Sequence, residues 1–192
     1  MVLSNTEILR CIEAGLFAID PLAGTDPTQS PFNTSAIDLR LGTEILVPNK
    51  NAPIQLDLTK PGIAKLWAEN SKSLQITQEQ PFSLKPNQLV LTNTLERVKF
   101  PLNENGVCFC ARVEGRSSLA RCGILVHFTA PTIHAGFSGH ITLEVINLGV
   151  HDFLLIPEMF VCQLIIEEVK GSPVSAPNQF LGQTSPAGVV TS

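Results

Sequence analysis

Residues 115–147 read GRSSLARCGILVHFTAPTIHAGFSGHITLEVIN, and the end of this stretch decides the fold. Its last eight residues, His140–Asn147, alternate between two sets of side chains. Successive residues of a β-strand point to opposite faces, so one face of this segment is wholly apolar and the other is mixed. The apolar face consists of Ile141, Leu143 and Val145, and the mixed face of Thr142, Glu144 and Ile146. This pattern predicts a strand with one face in a core.

Glu144 is the one acidic residue of this strand, and two interpretations of it stay open. It is a surface acid on a half-exposed strand, or it is a partly buried general base, since functional carboxylates lie in partly desolvated places. Gly136 and Gly139 lie just upstream, and glycines at such positions indicate a tight turn or a close approach of backbone to a ligand.

The first half of the stretch has the residues of an anion site. Gly115–Ser118 follows a predicted strand, Val107–Val113, and precedes a short helical segment, Leu119–Arg121. Serine is a favoured N-cap, and arginine suits bidentate contact with phosphate. If the segment is helical, Ser117 and Arg121 share a face. The alternative is a capped turn with two solvated arginines, and the segment lacks the glycine–lysine pattern of a P-loop.

The rest of the chain predicts many short strands. Ser4-Asn-Thr-Glu7 reads as a capping box for one N-terminal helix that stops near Gly15, and 60–72 has helical composition. Other predicted strands are 36–41, 44–47, 74–77, 82–84, 89–92, 124–128, 153–156 and 160–168. Such spacing favours a β-sandwich or jelly roll in one domain, residues 1–170. Residues 171–192, rich in Pro, Gly, Ser and Thr, are expected to form a flexible arm. On the strand 36–41, Asp38 and Arg40 read as a structural ion pair.

Composition excludes several classes of protein. The 192 residues carry a formal net charge of −4, which argues against nucleic acid as a partner. The five cysteines form no C-x-x-C pair and the zinc-deaminase signature is absent, so we expect neither disulfides nor zinc. All four histidines lie between His127 and His151, but strand alternation scatters them, and no metal site is predicted. Without a leader or a long apolar run, we expect a cytoplasmic protein with no membrane contact.

Several separated motifs together resemble the dCTP deaminases of the dUTPase superfamily. They are Ile37-Asp-Leu-Arg-Leu-Gly42, Gly115–Arg121, His127-Phe-Thr-Ala130, Gly136-Phe-Ser-Gly139 with Ile141-Thr-Leu-Glu144, and Pro157–Ile166. Their order and spacing agree over about residues 3–168. The resemblance implies a mainly β, distorted jelly-roll or β-barrel of the dUTPase-like type, assembled as a homotrimer with active sites shared between subunits.

The resemblance also implies an activity, which is zinc-independent hydrolytic deamination of dCTP to dUTP and ammonia. Glu144 aligns with the general base that activates water, and Ser117 and Arg121 with residues at the reacting centre. Positions aligned with nucleotide contacts are Arg116, Ser118, Ala130, Thr132, Ile133, His134, Gln163 and, in an arm that orders over the nucleotide, Gln183. A magnesium ion is expected to bridge the phosphate oxygens of the deoxycytidine nucleotide.

Four departures from the family pattern leave two alternatives open. Members commonly carry aspartate at the place of His134, many carry arginine at the place of Thr132, and their C-terminal tail has a lysine and a tyrosine that this chain lacks. One alternative is a bifunctional dCTP deaminase–dUTP diphosphatase that produces dUMP, although that reaction uses the missing aspartate. The other is a nucleotide-binding trimer that has lost catalysis.

Overall fold

A computed structural model describes residues 1–51, 55, 57, 59, 62–103, 106–176, 182 and 185–188. Three helices lie within these ranges: α1 (Asn5–Glu13), α2 (Ile63–Glu69) and α3 (Ser117–Arg121). The strands are β1 (Ala18–Asp20), β2 (Phe32–Asn33), β3 (Ala36–Pro48), β4 (Ser71–Gln75), β5 (Phe82–Leu84), β6 (Leu89–Lys99), β7 (Cys108–Gly115), β8 (Ile124–Leu125), β9 (Thr132–Ile133), β10 (Ser138–Asn147), β11 (Phe153–Leu155) and β12 (Phe160–Val169). The mainly β architecture expected from the sequence is confirmed.

One large antiparallel sheet forms the body of the molecule. Its strands follow the order β8-β10-β6-β3-β12-β7-β9, with β1, β2 and β4 attached at the sides, while β5 and β11 form a separate pair. The long strand β3 lies at the middle of this path and hydrogen-bonds to β12 on one side and β6 on the other. Helix α3 lies between β7 and β8 in the sequence, so it connects strands near the two opposite ends of the path.

The core lies on the inner face of this sheet, and β10 shows why the sequence alternates. Ile141, Leu143 and Val145 are at most 3% exposed, whereas Thr142 and Glu144 are half-buried on the other face. Both predicted faces of this strand are therefore confirmed. Burying large aliphatic side chains of this kind contributes about 1.5–3 kcal/mol each, which makes the alternation energetically decisive.

The N-terminal helix begins as predicted. The backbone N–H of Glu7 donates to Ser4 Oγ at 3.3 Å, which caps α1. The reciprocal half of the capping box does not form, because the Glu7 carboxylate instead accepts from Arg10 Nη2 at 2.6 Å. Gly15 follows the helix at φ 68°, a left-handed conformation that glycine adopts without strain.

The prediction that Asp38 pairs with Arg40 is wrong, because each of the two residues has a different partner. Asp38 and Arg40 lie two positions apart on β3 and therefore on the same face. Each of them nevertheless pairs with an oppositely charged residue of another strand or turn. Arg40 Nε lies 2.6 Å from Glu96 Oε1, and Arg116 Nη2 lies 3.2 Å from Asp38 Oδ2. Both are structural ion pairs, and each joins β3 to a different neighbour.

The structure also corrects several boundaries. The two strands predicted over 36–41 and 44–47 are one strand with an irregular register between Leu41 and Ile45 opposite β6. The helix predicted over 60–72 is shorter, and its Trp67 is half-buried outside the core. Strands β1, β2 and β9 were not predicted, because they form by pairing with β6, β3 and β7 and have no local pattern of their own. Among the helices of the described ranges, none is both long and apolar enough to cross a membrane.

Candidate active site

The turn after β7 is held by hydrogen bonds to two of its backbone carbonyl groups, those of Gly115 and Arg116. Gly115 ends β7 opposite Cys162 of β12, and Gln163 Nε2 donates to the Gly115 carbonyl at 3.2 Å. Arg116 then takes an extended conformation at φ −86° and ψ 135°, and its carbonyl accepts from the backbone N–H groups of Leu119 and Ala120, each at 3.0 Å. Arg116, and not a serine, is therefore the N-cap of α3, and helix α3 includes both serines.

The two arginines of this turn have different surroundings. The Arg116 guanidinium binds the buried Asp38 carboxylate, donates from Nη1 to the Phe160 carbonyl at 3.1 Å, and lies 5.6 Å from the Phe160 ring centroid. Arg121 is exposed, and its guanidinium forms no hydrogen bond or ion pair with any residue that the structure describes. The alternative of two solvated arginines is thus wrong for Arg116.

Ser117 and Arg121 are the first and last residues of α3, four positions apart, so they lie on one side of the helix. Ser117, Ser118 and Arg121 are all exposed. Within the described ranges, the hydroxyl groups of both serines have no hydrogen-bond partner. The turn therefore presents two free hydroxyl groups and one free guanidinium to its surroundings, which is the chemistry of an anion-binding surface.

Glu144 lies on β10, the strand that pairs with β8 directly after α3. It pairs with Leu91 of β6 and is half-buried, and its carboxylate makes no hydrogen bond or ion pair with the residues described here. Its neighbours on this face include Thr142, whose buried hydroxyl has no described partner, and the half-buried Ile146. The carboxylate thus lies between Thr142 and Ile146 and opposite Leu91, and has no described partner that would keep it from accepting a proton or a ligand.

Strand pairing links α3 to the strand of Glu144. Directly after the helix, Ile124 and Leu125 of β8 pair with Asn147 and Ile146 of β10. The Leu148 N–H donates to the Gly123 carbonyl at 2.8 Å, and the backbones approach so closely that a Cβ on Gly123 would lie 2.5 Å from the Gly149 nitrogen. The structure therefore fixes α3 to the end of β10, although no hydrogen bond or ion pair joins Glu144 to Ser117 or Arg121 within the described chain.

The residues expected to line the base and sugar of the nucleotide, which we call the nucleotide wall, lie on β9 and on both sides of it. They are Ala130, Thr132, Ile133 and His134. Thr132 pairs with Arg112 and Ile133 with Ala111 of β7, which places Ile133 in the core at 8% exposed. The remaining wall residues, Ala130, Thr132 and His134, are exposed. Gly136 follows at φ 92° and forms the turn into β10. His134 precedes the β9–β10 turn, whereas Ala130 lies at the other end, where the Val113 N–H donates to the Pro131 carbonyl at 2.9 Å, two residues before the α3 turn begins at Gly115.

Gln163 and Gln183 were also predicted to contact the nucleotide. Gln163 uses its side-chain amide to hold the Gly115 carbonyl, so it supports the turn between β7 and α3. Gln183 lies outside the described residues. Nearby, the Gly182 N–H donates to the Ser138 carbonyl at 2.8 Å, and residues 186–188 are buried, so the described part of the arm contacts the domain at the start of β10.

Two groups around the turn have shifted pKa values. Burial raises the pKa of Asp38, and the nearby Arg116 and the hydrogen bond from Asn33 offset this only in part. Burial likewise raises the pKa of the Cys162 thiol, which lies in the core beneath. No group of three or more His, Cys, Asp or Glu side chains that could hold a metal ion occurs in the part of the chain described.

Sequence reasoning missed two features of this region. The Asp38–Arg116 pair joins positions far apart in the chain, and only the pairing of β3, β12 and β7 brings them together. The second feature is the buried Thr142 hydroxyl, which has no described hydrogen-bond partner. The alternation of the sequence predicts that Thr142 lies on the same face as Glu144, but it does not predict hydrogen-bond partners.

Comparison with known proteins gives a consistent result. A sequence model of the dCTP deaminase-like family matches residues 2–169. The chain is 36% identical over 177 residues to a protein of Dictyoglomus thermophilum named dCTP deaminase, dUMP-forming, which covers 92% of this chain and 84% of that one. It is also 36% identical over 183 residues to a dCTP deaminase of Rhodospirillum rubrum, covering 92% and 87%.

Among solved structures, the crystal structure of the 2′-deoxycytidine 5′-triphosphate deaminase from Agrobacterium tumefaciens is similar to this chain. The TM-score is 0.64 at 14% sequence identity, and the alignment covers 88% of this chain and 47% of that one. At this identity the similarity shows a shared fold, which agrees with the fold type expected from the sequence motifs.

Proposed function

The chain belongs to the dCTP deaminase-like family, and on that premise we propose that it catalyses the hydrolytic deamination of dCTP to dUTP and ammonia. The observation that carries the proposal is Glu144, a half-buried carboxylate without a described partner. Its strand, β10, pairs with β8, and β8 follows α3, whose exposed serine hydroxyl groups and Arg121 guanidinium have no described partner.

The reaction needs a base for water. In the proposed step, Glu144 takes a proton from water as the water oxygen bonds to C4 of the cytosine ring. This proton goes to the ring nitrogen N3, which leaves a hydroxyl group on C4. Glu144 then moves the hydroxyl proton to the amino group, the carbon–nitrogen bond breaks, and ammonia leaves as C4 becomes a carbonyl carbon. A carboxylate that first accepts a proton and then delivers it acts as general base and general acid in turn. The half-buried position of Glu144 beside the apolar Ile146 and Leu91 supports this role.

A carboxylate alone is a weak base for water, so the developing charge at C4 must be stabilised. Preorganised donors at such a centre typically contribute about 3–4 kcal/mol each. Ser117 and Arg121 are our candidates, because their side chains lie on one side of α3 without described partners. In this proposal the serine hydroxyl and the guanidinium position the water and stabilise the oxygen that forms on C4.

The triphosphate is proposed to bind at the same turn. Arg116 and Ser118 would contact its oxygens, and Ala130, Thr132, Ile133 and His134 would line the base and sugar. A magnesium ion would enter with the nucleotide and neutralise part of the phosphate charge, since magnesium prefers oxygen ligands and is commonly held by substrate phosphates. The hydroxyl-rich turn suits such a ligand, whereas the described residues include no separate metal cage.

We further propose a homotrimer with active sites shared between subunits. The face that carries Glu144 also carries the half-buried Leu89, Leu91 and Ile146, and beyond it Leu148 is 56% exposed. A contiguous apolar face of this kind suits burial against another subunit. A second subunit over this face would exclude water from the carboxylate, and would bring its own turn or β9 wall towards it.

A second candidate function is the bifunctional reaction that ends at dUMP. It is favoured by the relatives from Dictyoglomus thermophilum and Methanothermobacter thermautotrophicus, which are named dUMP-forming. Against it stands His134, because the resemblance expects an aspartate at this place to orient water at the α-phosphate. Imidazole differs from carboxylate in charge and in hydrogen-bond geometry.

One experiment separates these functions. The protein is incubated with dCTP and magnesium, ammonia and pyrophosphate are quantified, and the nucleotides are separated by anion exchange. Ammonia with dUTP and no pyrophosphate supports the leading proposal, and equal amounts of ammonia and pyrophosphate with dUMP support the second. A folded protein that releases no ammonia would contradict both and favour the non-catalytic alternative.

A further inference from the structure

The Arg116 guanidinium is held from two sides. Asp38 Oδ2 lies 3.2 Å from Nη2, and the Phe160 carbonyl accepts from Nη1 at 3.1 Å. The Asp38 side chain is only 7% exposed and is itself fixed, because Asn33 Nδ2 donates to its other oxygen at 3.0 Å. The chain thus orients Arg116 through contacts on β2, β3 and β12.

These contacts leave part of the guanidinium available. An arginine has five N–H donors in a fixed plane, and the two contacts occupy only part of them. The Arg116 side chain is 34% exposed and forms no further hydrogen bond with described residues. Arg116 is also the N-cap of α3 and is next in the chain to Ser117 and Ser118, where the proposed function places the triphosphate.

We propose that Asp38 is a positioning residue for triphosphate binding. It does not touch the nucleotide, but it fixes the plane of the Arg116 guanidinium so that the free N–H donors meet the phosphate oxygens. This inference rests on the proposed function of the turn and adds to it a residue of β3. Oriented charge-assisted hydrogen bonds to phosphate are strong only when the geometry of donor and acceptor is held.

The Asp38 carboxylate pairs with Arg116, but its ionised form is also costly to bury. Its pKa is raised because burial outweighs the favourable contacts with Arg116 and Asn33. Folding therefore disfavours the ionised form of Asp38, and a neutral residue of the same shape would carry no such cost. A negative charge close to a bound triphosphate is also repulsive. What the carboxylate supplies is the orientation of Arg116.

The substitution Asp38→Asn separates orientation from simple charge. Asparagine keeps the shape and removes a negative charge near the phosphates, so an electrostatic effect alone would lower KM for dCTP. If Asp38 positions Arg116, KM rises by about tenfold, since a hydrogen bond to a charged group contributes about 1.5–3 kcal/mol, while kcat stays within about threefold. A lower KM, an unchanged KM or a loss confined to kcat overturns the proposal.

Matched variants sharpen the test. Glu96→Gln changes another buried carboxylate that binds an arginine, but Glu96 contacts Arg40 and not the α3 turn, so its KM is expected to equal that of the wild type. Asn33→Ala removes an exposed residue whose amide fixes Asp38, and it is expected to raise KM in the same direction even where Asp38→Asn folds poorly. In an Arg116→Met background, Asp38→Asn should have no further effect on KM; additive effects would refute action through Arg116.

Direct binding keeps this inference separate from the proposed catalysis. Calorimetry with inorganic tripolyphosphate measures the phosphate subsite without turnover. If the wild type releases no ammonia but binds tripolyphosphate about tenfold more tightly than Asp38→Asn does, the proposed reaction fails and the positioning role stands. Equal affinity in the two proteins, or no binding by the wild type, overturns the positioning role whatever the activity.

Discussion

The ion pair between Arg40 and Glu96 provides a quantitative test of the fold. Glu96 is fully enclosed in the sheet, its side chain 2% exposed, and that of Arg40 is 17% exposed. Arg40 Nε lies 2.6 Å from Glu96 Oε1, and the Arg40 backbone N–H donates to Oε2 at 2.8 Å. The substitution Arg40→Met removes the guanidinium and keeps the backbone donor and most of the apolar volume.

The loss in the free energy of unfolding expected for Arg40→Met depends on the contacts that Glu96 keeps. Removing one partner of a buried ion pair typically costs about 3–5 kcal/mol, because the other charge is left buried without compensation. The retained backbone hydrogen bond places Arg40→Met near the lower end, at about 3 kcal/mol. The additional contact between Arg40 and Glu158 adds little, since it spans 4.0 Å and the Glu158 side chain is 63% exposed.

Urea denaturation at fixed protein concentration measures this difference, because association of subunits would make the midpoint depend on concentration. The matched control is Arg112→Met. Arg112 Nη2 also lies 2.7 Å from a glutamate, Glu167, but the two side chains are 43% and 31% exposed. Solvent screens such a pair, so the control should lose less than about 1 kcal/mol.

A double variant tests the reasoning behind the number. Replacing both partners, as Arg40→Met with Glu96→Leu, removes the uncompensated charge and should recover part of the lost free energy of unfolding. The reasoning is refuted if Arg40→Met costs no more than Arg112→Met, or if the double variant loses the sum of the two single losses.

Three further predictions follow from the same structure. Gly123→Ala should lower the free energy of unfolding by about 2 kcal/mol or more, because φ is 85° and the new Cβ would lie 2.5 Å from the Gly149 nitrogen. Gly171→Ala is the control in urea denaturation: with φ 93° and open space around it, only backbone strain of about 1 kcal/mol is expected, and equal losses would contradict the close approach. Since burial raises the pKa of Asp38, the folded state binds more protons there than the unfolded state does. The wild type, whose Asp38 faces Arg116 and Asn33, should therefore lose stability relative to Asp38→Asn as the pH rises above 3.8 in paired denaturation curves, and a gain would show that the sign is wrong. Removing magnesium with a chelator should raise KM for dCTP and leave the thermal midpoint of the nucleotide-free protein unchanged; a chelator-dependent loss of that midpoint would indicate a metal bound by the protein itself.

The alternation of side chains made the strand of Glu144 predictable. A face that buries Leu143 and Val145 cannot also accept Glu144, so the period of two determines which side chains face the core. The capped start of α1 and the segment that became α3 were predictable for a similar reason. Each depends on residues only three or four positions apart, and local contacts of this kind are present in the sequence itself.

The contacts between strands were not predictable in this way. Asp38 and Arg40 were expected to pair, because sequence reasoning knows only neighbours, yet the sheet order supplies Arg116 and Glu96 as their partners. The same limit applies to the candidate site. The sequence placed Ser117 and Arg121 on one helical face, whereas the link from α3 to the end of β10 depends on pairing between β8 and β10. Short strands such as β9 form because a neighbouring strand offers hydrogen bonds, which no local pattern records.

The central claim is that the Glu144 carboxylate removes a proton from the attacking water. The most direct measurement is the rate of ammonia release from dCTP by Glu144→Gln, with Glu114→Gln as a control that changes another half-buried strand carboxylate. General base catalysis typically contributes about 10²–10⁴-fold, so the Glu144 variant should lose at least about a hundredfold in kcat while the control and the folded state of both stay unchanged. A Glu144→Gln protein that keeps more than about a tenth of the wild-type kcat would contradict the assignment of Glu144 as the base.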